Sequence, residues 1–236
     1  MRLLLFSNST NAGEDYLGYT LPYISEFIEI KPKNGIFIPF AGISVGFDKY
    51  ADMVAGQLQK SGIQVKALHR SDDMVADIKQ AEIIITGGGN TFYLLKTLQD
   101  YDLLPLIRDR VKSGTPYIGW SAGSNMACPT ISTTNDMPIV QPHNFLALNL
   151  IPFQINPHFT DYIQQGHAGE TREMRINEYL LANQNKYVAG LKEGTLFQYT
   201  DDEGLQLKGP HTCKVFKYGK DPVEVSEGDN LSFLMQ

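Results

Sequence analysis

The segment Gly119-Trp120-Ser121-Ala122-Gly123 follows the apolar run Thr115-Pro116-Tyr117-Ile118. This G-x-S-x-G spacing fits a place where a buried strand ends and a helix begins at once. In such an elbow the backbone turns sharply and lifts the serine hydroxyl above the sheet edge. Glycines flank it because side chains there would collide with the neighbouring strand and helix. The segment demands an α/β fold with a strand–helix junction at residue 121, and it points to a serine hydrolase.

The rest of the chain supplies that fold. Strand-like runs at Arg2–Ser7, Gly35–Phe40, Ile63–Leu68, Glu82–Thr86 and Tyr117–Gly119 alternate with helical patterns near Tyr16–Phe27, Phe47–Ser61, Asp72–Ala81 and after Asn90. A β-α-β-α order argues for a parallel sheet covered on both faces. We expect a three-layer α/β/α sandwich with a mostly parallel sheet, as one domain over residues 1–236. Later, Pro152–Pro157 reads as a strand and Glu170–Ala182 as a helix, with Ile176, Tyr179 and Leu180 on one side. Short strands are expected at Tyr187–Leu191, Leu196–Tyr199, Leu205–Leu207 and Lys214–Tyr218, forming a β-rich C-terminal edge. Asp201-Asp202-Glu203-Gly204 reads as a hairpin loop between two of them.

Composition removes several classes. A net charge of −6 without a basic stripe disfavours nucleic acid and anionic membranes as partners. The two cysteines, Cys128 and Cys213, show no C-x-x-C spacing, which excludes zinc ribbons and redox motifs. The start, Met1-Arg2-Leu3-Leu4-Leu5-Phe6, falls short of the roughly 7–15 apolar residues of a secretory core and reads as a first strand. No run approaches the roughly 20 apolar residues of a membrane span. The expectation is a cytoplasmic protein with free thiols, a monomer or a homodimer.

A serine hydroxyl needs a base to take its proton and a third group to orient that base. Of the five histidines, His69 leads from a strand into the solvated turn Arg70-Ser71-Asp72-Asp73, and His143, His167 and His211 sit in loop sequence, whereas His158 follows a predicted strand in Ile155-Asn156-Pro157-His158 and can face the serine. Catalytic groups gather at the carboxyl ends of strands in open α/β sheets, where the elbow serine also sits. Glu193, after the apolar run Tyr187–Leu191, is the expected orienting acid, and Asp136 in Thr134-Asn135-Asp136 is its rival. The order serine, histidine, acid is not that of ordinary α/β-hydrolases. It is that of the class I glutamine amidotransferase fold, which is flavodoxin-like and usually carries a cysteine nucleophile.

Gly87-Gly88-Gly89-Asn90-Thr91 is a second glycine signal, placed between a strand and a helix. It lacks the spacing of nucleotide-binding loops. Exposed N–H groups at this helix start, with that of Ala122 after the nucleophile, suit an oxyanion hole. The plain alternative is a strand-to-helix turn with Asn90 as N-cap, and both can hold.

With the elbow, the Gly-Gly-Gly-Asn-Thr loop, Asn156-Pro157-His158-Phe159 and Glu193-Gly194 in this order, the chain resembles the peptidase E and cyanophycinase family of serine peptidases over nearly its whole length. The resemblance implies a catalytic group of Ser121, His158 and Glu193, oxyanion donors at Gly88, Gly89 and Ala122, and hydrolysis of small dipeptides with an N-terminal L-aspartate. It also implies that Arg172 grips the aspartate side chain. The helix start Gly169-Glu170-Thr171-Arg172-Glu173-Met174-Arg175 suits that role, since Arg172 and Arg175 are three apart and share a face. The alternative pairs both arginines with Glu170, Glu173 and Glu178 on a solvated face. Glu170 is a candidate for the free amine. No metal or organic cofactor is expected. Two other readings stay open: a cyanophycinase-like exopeptidase acting on β-aspartyl-arginine, and a non-catalytic binding domain on the same fold.

Overall fold

A computed structural model describes residues 1–28, 33–163, 166 and 168–236. Its strands are β1 (Arg2–Phe6), β2 (Lys33–Ile38), β3 (Ile63–Ala67), β4 (Ile83–Thr86), β5 (Tyr117–Trp120), β6 (Gln154–Phe159), β7 (Tyr187–Lys192), β8 (Leu196–Thr200), β9 (Gly204–Lys208), β10 (Cys213–Lys217) and β11 (Val223–Val225). The helices are α1 (Thr20–Phe27), α2 (Phe47–Leu58), α3 (Met74–Gln80), α4 (Thr91–Asp100), α5 (Leu104–Lys112), α6 (Ala122–Ala127) and α7 (Arg172–Ala182).

The main sheet has seven strands in the order β3-β2-β4-β5-β1-β8-β9. Strands β1 to β5 run parallel to their neighbours, while β8 and β9 are antiparallel additions at one edge. Alternation of side chains builds the two cores. Leu4, Phe6, Phe37, Ile83 and Ile85 face one layer with Ile24 of α1 and Val54 of α2. Leu3, Leu5, Ile36, Ile38 and Ile84 face the other with Leu94, Leu95 and Ile107 of α4 and α5. A period of two on strands buried from both sides gives a continuous apolar run, which is why Ile83-Ile84-Ile85 reads as a strand without polar alternation. Burying each such side chain contributes about 1.5–3 kcal/mol.

The C-terminal part departs from the expected single sheet edge. Strands β6, β7, β10 and β11 form a second sheet, ordered β11-β10-β7-β6. Ile155, Ala189, Leu191, Cys213 and Val215 join the core shared with the main sheet. Phe159, Val188 and Phe216 pack instead against Ile176 and Leu180 of α7. The expected hairpin at 201–204 joins β8 to β9, with Thr200 paired to Gly204. Asn90 caps α4, accepting from the Tyr93 N–H at 3.0 Å.

Candidate active site

Strand β5 delivers Ser121 into the elbow. Its φ of 52° and ψ of −111° lie outside the ordinary regions for a residue with a side chain. The Ser121 N–H donates to the Phe6 carbonyl at 3.1 Å, and the Ser121 carbonyl accepts from Ser124 and Asn125 N–H, so α6 starts immediately. Both flanking glycines are required by close approach. A Cβ at Gly119 would lie 2.5 Å from the Gly123 carbonyl oxygen, and one at Gly123 would lie 2.1 Å from that of Thr86.

His158 comes from the second sheet. The β6–β7 register shifts between Asn156 and Phe159, and His158 in that bulge has a φ of 54°. Its N–H donates to Ser7 Oγ at 2.8 Å, and Ser7 Oγ donates to the Leu191 carbonyl at 2.8 Å. One hydroxyl at the end of β1 therefore ties together β6 and β7. Glu193 sits in the β7–β8 turn, whose Gly194 has a φ of 80°. The Gly194 N–H donates to Asn8 Oδ1 at 2.8 Å, which also accepts the Tyr19 hydroxyl at 2.6 Å.

These supports bring three side chains into line. His158 Nε2 lies 2.9 Å from Ser121 Oγ, and His158 Nδ1 lies 2.6 Å from Glu193 Oε1. A carboxylate only accepts, so the partners assign the imidazole proton to Nδ1 and leave Nε2 free to take the serine proton. Glu193 is 58% exposed and His158 38%, so this chain lies at the surface rather than in a dry pocket.

Gly88 abuts the nucleophile: a Cβ there would lie 3.1 Å from Ser121 Cβ. Gly89 has a φ of 132°, and a Cβ on it would lie 2.1 Å from the Ala41 carbonyl oxygen. Among the described residues, no protein acceptor is bonded to the N–H groups of Gly88, Gly89 or Ala122. Gly88 and Gly89 line the same cavity as Ser121, and Ala122 is the next residue along the chain from it. Ser121, His158, Gly88, Gly89 and Asp136 line one open cavity.

Asp136 does not reach His158 by a hydrogen bond. Its Oδ2 accepts from the Thr91 N–H at 2.8 Å, the Thr91 hydroxyl at 2.5 Å and the Thr134 hydroxyl at 3.0 Å, at the start of α4. Arg172, Arg175 and Glu170 line a separate groove with Thr160 and Asp161, beyond His158 along the chain. Arg175 pairs with Glu170 at 3.6 Å, while Glu173 is taken by Lys214 at 2.8 Å. Among the described residues Arg172 has no bonded acceptor. Its guanidinium is pushed below its usual pKa by burial and then by Arg175. Of the other histidines, His69 meets Asp48 and His143 meets Asp100, while His211 lines a depression together with His158 and Glu193. His167 lies outside the described residues. Cys128 is fully buried, accepts the Ile155 N–H at 3.2 Å, and is pushed by burial to a pKa of about 12. It is no substitute nucleophile.

Sequence reasoning missed Ser7 and Asn8. Their signal was present, because Ser7-Asn8-Ser9 is a polar run at the carboxyl end of an apolar strand.

No helix among the described residues is long and apolar enough to cross a membrane. Residues 3–207 match the model of peptidase family S51. The chain is 47% identical to a peptidase E from Nostoc sp. over 235 residues, covering 100% of this chain and 97% of the relative. It is 50% identical to a peptidase E from Salmonella typhimurium over 228 residues, 97% of this chain and 99% of the relative. Among solved structures, a Listeria monocytogenes protein described as a peptidase E superposes with a TM-score of 0.65 at 22% identity, covering 89% of this chain and 98% of that one. A peptidase from an acI-B1 Actinobacterium superposes with a TM-score of 0.70 at 18% identity, covering 97% and 95%. At such identities the two structures speak for the fold.

Proposed function

This chain belongs to peptidase family S51, and from that premise we propose that it hydrolyses dipeptides with an N-terminal L-aspartate through an acyl-enzyme on Ser121. The observation that carries the mechanism is the unbroken line from Glu193 Oε1 through the imidazole of His158 to Ser121 Oγ.

Ser121 Oγ attacks the carbonyl carbon of the Asp–Xaa bond while its proton passes to His158 Nε2. The imidazolium that results is held by Glu193. Negative charge gathers on the former carbonyl oxygen, within reach of the open N–H groups at Gly88, Gly89 and Ala122. The C–N bond then breaks, and Nε2 returns the proton to the leaving amine. Water attacks the aspartyl ester with His158 again as base, releasing aspartate and restoring the serine hydroxyl.

Arg172 is the group proposed to take the aspartate side chain, with Arg175 adding positive charge and Glu170 holding the free ammonium. The guanidinium of Arg172, which has no bonded acceptor among the described residues, supports this part, since it offers a carboxylate two parallel hydrogen bonds. Arg172 lines the groove past Thr160 and Asp161, so the substrate must extend across that rim.

A panel of Asp-Leu, Glu-Leu, Asn-Leu, isoaspartyl-Leu and Asp-Leu-Ala tests the assignment. Asp-Leu should give the highest kcat/KM. Failure to cleave Asp-Leu, or equal rates on Asp-Leu and Asn-Leu, would contradict it.

A further inference from the structure

We infer that Tyr50 is a positioning residue that holds the Gly88–Gly89 peptide in the orientation needed to receive an oxyanion; the inference rests on the oxyanion role proposed for that loop.

Three consecutive glycines make a weak place to keep fixed donors. With no Cβ at 87, 88 or 89, the intervening peptides can rotate at little steric cost. The outer peptides are tied by backbone. Gly87 N–H donates to Ile38 O at 3.2 Å, and Asn90 N–H donates to Ala41 O at 2.8 Å. The central peptide has neither anchor. Its carbonyl, that of Gly88, accepts instead from the Tyr50 hydroxyl at 3.1 Å. In a trans peptide the carbonyl and the following N–H point in opposite directions. A Gly88 carbonyl held toward buried Tyr50 therefore sends the Gly89 N–H the other way, on the loop that lines the Ser121 cavity.

The Tyr50 proton has one destination. Trp120 Nε1 donates to the Tyr50 oxygen at 3.1 Å and the Tyr16 hydroxyl donates to it at 3.2 Å. Both acceptor positions of the phenol are filled, so its own hydrogen goes to Gly88. Burial keeps that hydrogen in place, raising the phenol pKa to about 12. The ring is fixed as well. It meets Phe37 edge-on at 5.1 Å, and a Cβ at Gly42 would come within 2.2 Å of it and one at Gly87 within 2.9 Å. Trp120, the residue before the nucleophile, thus helps aim a donor on the neighbouring loop.

Tyr50→Phe in the full chain tests this, because it keeps the ring and removes the hydroxyl. Two rates are read: turnover of Asp-Leu, and covalent inactivation by a fluorophosphonate, whose phosphoryl oxygen must enter the same hole. Both should fall about 10- to 100-fold, less than or equal to the loss of a whole oxyanion donor, with KM within about twofold of wild type. Val54→Ala, one turn further along α2 and in the core, is the comparison for stability alone; it should lower the melting temperature and leave both rates unchanged. If Tyr50→Phe does not yield folded protein, Trp120→Phe reports instead. It empties one acceptor position on Tyr50, and a smaller fall in both rates is expected. Unchanged rates in the folded variant, or a rise in KM with kcat intact, would overturn the inference. A wild-type protein that reacts with fluorophosphonate but ignores Asp-Leu would overturn the substrate reading and leave this one standing on the inactivation rates.

Discussion

Ser121 and His158 both take a positive φ that residues with side chains rarely adopt, 52° at one and 54° at the other, and their side chains meet at 2.9 Å. Each such conformation costs about 1–3 kcal/mol and persists only when the surroundings enforce it. At Ser121 the enforcement is the elbow between β5 and α6. At His158 it is the bulge in β6, held by Ser7. Ser121→Gly should therefore remove all peptidase activity and raise unfolding stability by up to about 1 kcal/mol in urea titrations, because glycine adopts positive φ without strain. A glycine variant that is less stable than wild type would count against stored strain at the nucleophile.

Glu193 and Asp136 are separated by what they touch. Glu193→Gln should lower kcat by about 100-fold or more while leaving the melting temperature close to wild type, since an amide no longer stabilises the imidazolium. The pH profile of kcat should shift with it. Asp136→Ala should instead cost about 1 kcal/mol of stability through the lost contacts to Thr91, without moving that pH profile. A shifted profile in the Asp136 variant and an unshifted one in the Glu193 variant would exchange their roles.

Arg172→Ala should raise KM for Asp-Leu at least tenfold and bring the Asp-Leu to Asn-Leu ratio of kcat/KM toward one. Arg172→Lys should restore only part of it, because an ammonium lacks the paired donors of a guanidinium. An unchanged ratio in Arg172→Ala would remove this residue from substrate recognition.

Asp161 joins the Arg172 groove to the second sheet, accepting Lys192 at 3.1 Å and Lys214 at 3.3 Å, while Lys214 also holds Glu173 of α7. Burial pushes its carboxyl pKa up, but the two lysines together bring it below the usual value. A carboxylate lowered in the folded state contributes stability above its unfolded pKa of about 3.9 and loses it as pH falls through the folded value. Asp161→Asn should thus be less stable than wild type at pH 7, by under about 1 kcal/mol because the group is 44% exposed, and the gap should close below pH about 4. A gap that stays constant across that range would show that the charge of Asp161 contributes nothing.

The sheet was legible because β1 to β5 are apolar runs set between amphipathic helices, and the elbow because Gly119 and Gly123 each face a backbone atom within 3 Å of where a Cβ would stand. His158 and Glu193 were readable as polar residues closing apolar strands. Their sheet was not. Strands β6 and β7 look locally like further members of the main sheet, and only long-range pairing with β10 and β11 places them apart. The supports were also hidden, since Ser7 and Asn8 lie 151 and 186 residues from the groups they hold, at His158 and Gly194. Nor does periodicity on α7 say which cavity Arg172 will line, because the direction of that helix depends on Phe159 and Phe216 beneath it.

The central claim is that Ser121 Oγ becomes covalently joined to the aspartyl group during turnover. Acid-quenched mass spectrometry of the protein mixed with an aspartyl p-nitrophenyl ester measures this directly. The account predicts an aspartyl ester on the peptide containing Ser121, absent from Ser121→Ala and longer-lived when His158 is replaced by alanine. Turnover of Asp-Leu by Ser121→Ala at the wild-type rate, with no adduct on either protein, would contradict it.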